Sequence, residues 1–353
     1  PRALGTFPNP GLDRWLFSCV IRGFGGMRRG FAARFFDDHG ESQLTMLQGR
    51  VSELSLRDLR RFLLEGSFAL QTGLLLSRVT SPFEDVARSL HVLYARHPFQ
   101  IAPEFADFHV EVRQPRNLRR WFRQQAEFLI DGDPPFEPLP RDQAPAFLEW
   151  GLNWSVAASC HQWFSIHAAS LEKNGRAVVL PAPPGSGKST LCTALALRGW
   201  RLLSDELTLI DPASLNAHAL ARPINLKNAS IDLIRAFEPA ATWGPETYDT
   251  SKGRVTHLQP PADSVDRMLE TAQPRWIVFP RYQAGAEPLL TPRTKPQTFM
   301  DLAENAFNYS TLGETGFDVV GRLVDQCDCY DFSYSRLDDA LEVFEWIASG
   351  EAP

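Results

Sequence analysis

Ala182-Pro183-Pro184-Gly185-Ser186-Gly187-Lys188-Ser189-Thr190 decides how this chain folds. Gly187, Lys188 and Ser189 fit the end of the pattern G-x-x-x-x-G-K-[ST], with Ala182 where the first glycine is usual. The physics of the motif survives that change. Gly185 and Gly187 let the backbone aim N–H groups at a phosphate where no side chain intrudes. The flanks supply the rest: an apolar strand over 177–181, a helix over 188–197 whose N-terminus offers unpaired N–H groups and the positive end of its dipole, and Arg198-Gly199 as a helix stop. A second strand follows over 202–210. The residues Pro184, Gly185, Ser186, Gly187, Lys188, Ser189 and Thr190 are therefore read as a nucleotide-binding P-loop for ATP. Lys188 neutralises β/γ-phosphate charge, and the Ser189 hydroxyl is a ligand for Mg²⁺.

Seventeen residues after Lys188, Leu202-Leu203-Ser204-Asp205-Glu206-Leu207 carries an acidic pair on an apolar strand. Opposite a P-loop, one carboxylate can hold Mg²⁺ or its water and the other can accept a proton from the attacking nucleophile. Twenty-one residues before Lys188, His167 stands in Ser165-Ile166-His167-Ala168-Ala169. Composition alone reads it as a satisfied core histidine.

The His-small-small element, the P-loop and the acidic pair after Arg198-Gly199-Trp200-Arg201-Leu202 together resemble the catalytic domain of HPr kinase/phosphorylase. That resemblance covers about 165–210. Longer phrases, Leu180 to Gly185, Leu203-Ser204-Asp205-Glu206-Leu207-Thr208-Leu209 and Ala221-Arg222-Pro223, resemble the subgroup called HPr kinase-related kinase A over most of the chain. The resemblance implies that Asp205 is the proton acceptor, that Glu206 helps Ser189 hold the metal, and that His167 lies near the phosphates. It also implies a serine hydroxyl on a peptide or protein as acceptor. Two positions depart from HPr kinase: Thr190 replaces an acidic residue, and Arg222-Pro223-Ile224-Asn225-Leu226-Lys227 stands in place of a glycine-rich signature.

Phosphoryl transfer calls for a further cation near the travelling charge. Arg222 and Lys227 are the first choices, because Pro223 imposes an extended backbone beside Arg222; an ordinary basic surface loop fits as well. Arg281, at an expected strand end, is a further candidate. The polar run 246–253 reads either as a lid or as a long solvated loop.

Upstream, the glycine cluster 23–26 reads as a turn before a strand over 30–36. Residues 55–64 and 83–96 have helical apolar spacing, 108–112 reads as a strand, and 118–130 reads as an Arg- and aromatic-rich amphipathic helix. The Pro- and acid-rich run 131–140 cannot continue a helix. The expected organisation is thus a small N-terminal α+β domain (1–130), a Pro-rich linker (131–143) and an α/β P-loop kinase domain of the HPr kinase type (144–353). Residues 337–348 close it as an amphipathic helix.

The chain of 353 residues carries a formal charge of -6. Up to Pro140 there are 18 Arg, no Lys and 16 acids, leaving 18 bases against 26 acids beyond it. That balance argues against nucleic acid or an anionic membrane as partner. Five cysteines, an odd number, do not look like a disulfide framework, and Cys327-x-Cys329 lacks a partner pair for zinc. With no signal-like or membrane-length apolar run, the cytoplasm is the expected compartment. The function expected is an ATP- and Mg²⁺-dependent kinase acting on a hydroxyl of a peptide, protein or small molecule. The alternative is a nucleotide-dependent ATPase switch, and homo-oligomerisation is left open.

Overall fold

The structure, a computed structural model, describes residues 47–116, 123–183 and 185–350 of a mixed α/β protein. They divide into two compact units, 156–220 with 270–350 and 47–155 with 221–269. The single boundary expected at 131–143 coincides with none of the crossings between them. That segment is instead built into one unit. Leu139–Pro140 pairs with Gln125 and Ala126, and Phe136 packs against Phe128, Phe147 and Trp154 at ring-centroid distances of 5.9, 5.8 and 5.3 Å. Its prolines shape a packed turn rather than a spacer.

The unit 47–155 with 221–269 holds a seven-stranded mixed sheet. Its order is Gln48–Arg50, Pro98–Ile101, Phe68–Thr72, Leu75–Thr80, Phe108–Arg113, Gln125–Ile130 and Leu139–Pro140. Helices Leu56–Glu65 and Glu84–Leu93 match their apolar spacing; the Ser55 hydroxyl caps the first by accepting from the Asp58 N–H at 3.1 Å. The helix expected over 118–130 is corrected from Gln125 onward. There Ala126 and Phe128 are buried and alternate with half-exposed Gln125 and Glu127, a two-residue period that pairs with Phe108–Arg113. Its start at 118–122, with Arg119 and Arg120, and the expectations at 23–26 and 30–36 lie outside the described residues. Helix Ala144–Ser159 carries Gly151 because any Cβ there would come within 2.2 Å of the Phe128 ring.

In the same unit, 246–253 is not an irregular loop. Thr247–Thr250 and Gly253–Leu258 form a hairpin that continues onto Ile224–Lys227. Asn228 braces it, its amide donating to the Lys252 carbonyl and its oxygen accepting from the Arg254 N–H.

The other unit positions the chemistry. Its elements, in chain order, are β1 (Phe164–Ile166), β2 (Ala168–Lys173), β3 (Arg176–Pro181), α1 (Lys188–Leu197), β4 (Arg201–Ser204), β5 (Thr208–Ile210), β6 (Ala217–His218), β7 (Gln273–Tyr282), β8 (Leu289–Pro292), α2 (Lys295–Asn305), α3 (Glu314–Gln326), β9 (Asp328–Tyr334) and α4 (Leu337–Ser349). Six strands form one sheet in the order β4-β2-β3-β7-β9-β8. β3, β7 and β9 are parallel; β2 is antiparallel to both β3 and β4, so β4 runs with the parallel set. Strands buried on both faces need continuous apolar sequence, and Ala177-Val178-Val179-Leu180 and Trp276-Ile277-Val278 supply it. α2 and α3 pack on the face that carries Ala177, Val179 and Ile277. On the opposite face Trp276 meets Trp200, which meets Phe344 of α4. Among the described residues, no helix is long and apolar enough to cross a membrane.

Candidate active site

Parallel strands deliver whatever follows them to one edge, and open α/β sheets bind ligands at that carboxyl edge. β3 ends there in the glycine loop, β4 in Asp205-Glu206, β7 in Arg281-Tyr282 and β9 in Tyr334. β2, running the other way, begins there, with Ala168 paired to Pro181. His167, immediately before it, therefore shares the edge. The main-chain topology alone brings together the glycine loop, the acidic pair and the histidine. Pro184 lies outside the described residues.

The loop is held from one side. Gly185 and Gly187 both adopt positive φ, +86° and +89°. Gly187 has no room for a side chain, since a Cβ would stand 2.6 Å from the Tyr334 hydroxyl and 2.9 Å from Tyr282 Cβ. The Tyr334 hydroxyl donates to the Gly187 carbonyl at 3.1 Å, and the Tyr282 N–H donates to the Ser186 carbonyl at 2.8 Å. Beside Gly185, by contrast, the space where a Cβ would stand is open. α1 then starts at Lys188, and the first N–H groups of any helix lack intrahelical partners. Glycine backbone, open space beside Gly185 and a helix N-terminus coincide here, an arrangement that can take an anion.

Lys188 is buried to 8% exposure and Ser189 is half-buried. One turn further on, burial pushes the Cys192 thiol well up. Asp205 raises it further and Lys188 lowers it. The carboxylate and the ammonium therefore both lie within electrostatic range of the same sulfur.

The strand expected over 202–210 is divided, as is that over 164–171. β4 pairs with β2 in the large sheet, while β5 pairs with β1 in a three-stranded sheet. The pairs Ser204↔Ser170 and Thr208↔Ile166 nevertheless keep one register. Asp205-Glu206-Leu207 thus stands across from His167-Ala168-Ala169 at the place where both strands pass from one sheet to the other. The Ser204 hydroxyl fixes this turn, accepting from the Leu207 N–H at 3.0 Å, and Thr208 anchors its far side by donating to the Ala168 carbonyl at 2.9 Å. Asp205 and Glu206 are 7% and 8% exposed, an unusual position for adjacent acids at a strand end. His167 is half-buried, its ring 5.8 Å from that of Phe307.

Among the described residues, no group of three or more His, Cys, Asp or Glu side chains is placed to hold a metal. Mg²⁺ is compatible with so sparse a set, because it retains water and shares substrate phosphates. Ser189 and Glu206 are the residues that would hold it.

Arg222 and Lys227 belong to the other unit. A strand starts just after Pro223, at Ile224, but Arg222 points into the interior of its own unit instead of offering a loose cation. Its guanidinium donates to the Glu149 carboxylate at 2.8 Å, to Asn153 at 2.8 Å and to the Tyr94 hydroxyl at 3.3 Å. Lys227 ends its strand half-buried, close enough to help lower the His257 pKa. Arg281 is exposed at the end of β7, in register with Ser333.

Sequence reading missed Tyr282 and Tyr334, the residues that prop the loop. Their only signal was alternation at two strand ends, and the partnership itself is long-range. No protein-family model matches the chain, and no curated protein matches it.

Proposed function

We propose that this protein is a P-loop kinase of the HPr kinase type, using Mg·ATP to phosphorylate a hydroxyl, with serine of a peptide or protein as the acceptor. One observation carries the reading: the glycine loop, the buried Asp205-Glu206 turn and His167 share one sheet edge. The resemblance in sequence to HPr kinase-related kinase A supports the same assignment.

The backbone N–H groups of Gly185 to Ser189 and the dipole of α1 bind the phosphates, and Lys188 neutralises charge on them. Ser189 and Glu206 would hold Mg²⁺, which would supply positive charge against the phosphate oxygens. Asp205 takes the proton of the acceptor hydroxyl as that oxygen bonds to the γ-phosphorus and the bond to the β-phosphate oxygen breaks. His167, across the ribbon, is assigned to the phosphate side of the site.

Transfer of ³²P from [γ-³²P]ATP, screened against peptides and metabolites, tests this. Asp205→Asn should keep ATP affinity and lower transfer about 10²-fold or more, the usual scale for loss of a general base. Undiminished transfer removes Asp205 from that role. Rapid phosphate release that no acceptor changes would replace the kinase with an ATPase switch.

A further inference from the structure

Four aromatic residues pack in sequence, one pair stacked and two edge-to-face, through the unit that holds the glycine loop. Phe344 packs on Phe332 at 5.5 Å and 79°, Phe332 on Tyr334 at 5.4 Å and 6°, and Tyr334 on Tyr282 at 6.0 Å and 75°. The first three are buried, whereas Tyr282 is 50% exposed. The column thus runs from the core to a single open ring, and that ring stands at the loop. Tyr282 is bonded through its N–H to Ser186, its Cβ lies against Gly187, and Tyr334 beneath it is bonded to the Gly187 carbonyl. Isolated exposed aromatics are ordinary on protein surfaces. This one is held by a buried aromatic column and tied to the loop backbone.

We infer that the Tyr282 ring is the platform on which the base of the bound nucleotide stacks, with Tyr334 as the positioning residue that orients it. The inference rests on reading the glycine loop as the phosphate site. A flat ring next to a phosphate cradle offers a π-face to any base, and such stacking tolerates base identity because every base has one. No base-edge readout is required, so adenine and guanine are accepted alike.

The test is calorimetric titration of the whole protein with Mg·ATP, Mg·GTP and Mg·tripolyphosphate, the last carrying phosphates without a base. Alanine retains the N–H and Cβ through which residue 282 meets the loop, so Tyr282→Ala removes the ring and leaves the cradle. ATP and GTP should bind the wild type with similar Kd. Tyr282→Ala should weaken both about tenfold or more, the scale of base–aromatic stacking. Its tripolyphosphate Kd should stay unchanged, and Tyr282→Phe should keep wild-type ATP affinity. Equal weakening of ATP and tripolyphosphate in Tyr282→Ala, or no weakening of ATP, overturns the platform while leaving the phosphate site standing. Failure of both ATP and tripolyphosphate to bind the wild type overturns the phosphate site and the platform with it.

Discussion

Gly187 concentrates the loop's requirements in one residue: a positive φ, and contact with Tyr334 and Tyr282 on the side where a Cβ would project. Left-handed backbone costs an alanine roughly 1–2 kcal/mol before any clash is counted. Gly187→Ala should therefore lower the melting temperature and remove the stabilisation given by Mg·ATP; an unchanged ATP-dependent shift in differential scanning fluorimetry would contradict the loop geometry. Arg222 and Glu149 make the corresponding point in the other unit. Both are nearly inaccessible; burial raises the Glu149 carboxyl and Arg222 lowers it. Arg222→Met leaves that carboxylate buried without its charge partner and should cost about 3–5 kcal/mol in urea unfolding, whereas adding Glu149→Leu should recover most of the loss. Two buried histidines of this unit add a pH dependence. Burial lowers His97 to about 4 and His257 to about 3, from 6.5. Between 6.5 and those values the unfolded chain holds protons that the folded one excludes. The stability they confer is present above pH 6.5 and is lost as pH falls through that window. The urea midpoint of wild type should fall more steeply from pH 7 to pH 5 than that of His97→Gln/His257→Gln; parallel slopes would exclude these histidines as the source.

At the level of elements, the acidic turn shows what sequence can and cannot convey. Helix 188–197 is legible because glycine, lysine and a run of small apolar residues define its start and its burial locally. Asp205-Glu206 is legible as a pair on an apolar strand. That the strand breaks there, handing the chain from one sheet to another opposite His167, is not legible, because it depends on register with β1 and β2. The same limit explains 125–130, whose two-residue alternation is outweighed in sequence by the helical spacing upstream. It explains Arg222 too: proline predicts an extended backbone but not that Glu149 and Tyr94 await the side chain. Ser204 tests the turn itself. Its hydroxyl accepts from the Leu207 N–H, so Ser204→Ala should loosen Asp205-Glu206 and lower kcat several-fold at nearly constant KM for ATP. A rise in KM alone, measured by steady-state kinetics, would place the turn on the binding side of the reaction.

On the scale of the whole molecule, the described chain leaves one unit after residue 155 and re-enters it at residue 221. Residues 221–269 close on 47–155: His97 bonds to the Ala221 carbonyl at 2.8 Å, Gln259 donates to the Val92 carbonyl at 2.8 Å, and Arg50 and Arg96 both pair with Asp266. A fragment starting at residue 144 keeps the glycine loop yet strips 221–269 of all these partners. It should unfold without the cooperativity of the full chain and expose apolar surface to dye; a fragment as stable as the whole would show that the second unit does not need its N-terminal part. The central claim concerns the loop. The most direct measurement is thermal unfolding of wild type and Lys188→Ala with and without Mg·ATP. A ligand that binds only the folded state adds about 2.7 kcal/mol at a hundred times its Kd. A shift in wild type that is absent from Lys188→Ala is the predicted result, and equal shifts in the two proteins, or none in wild type, would contradict it.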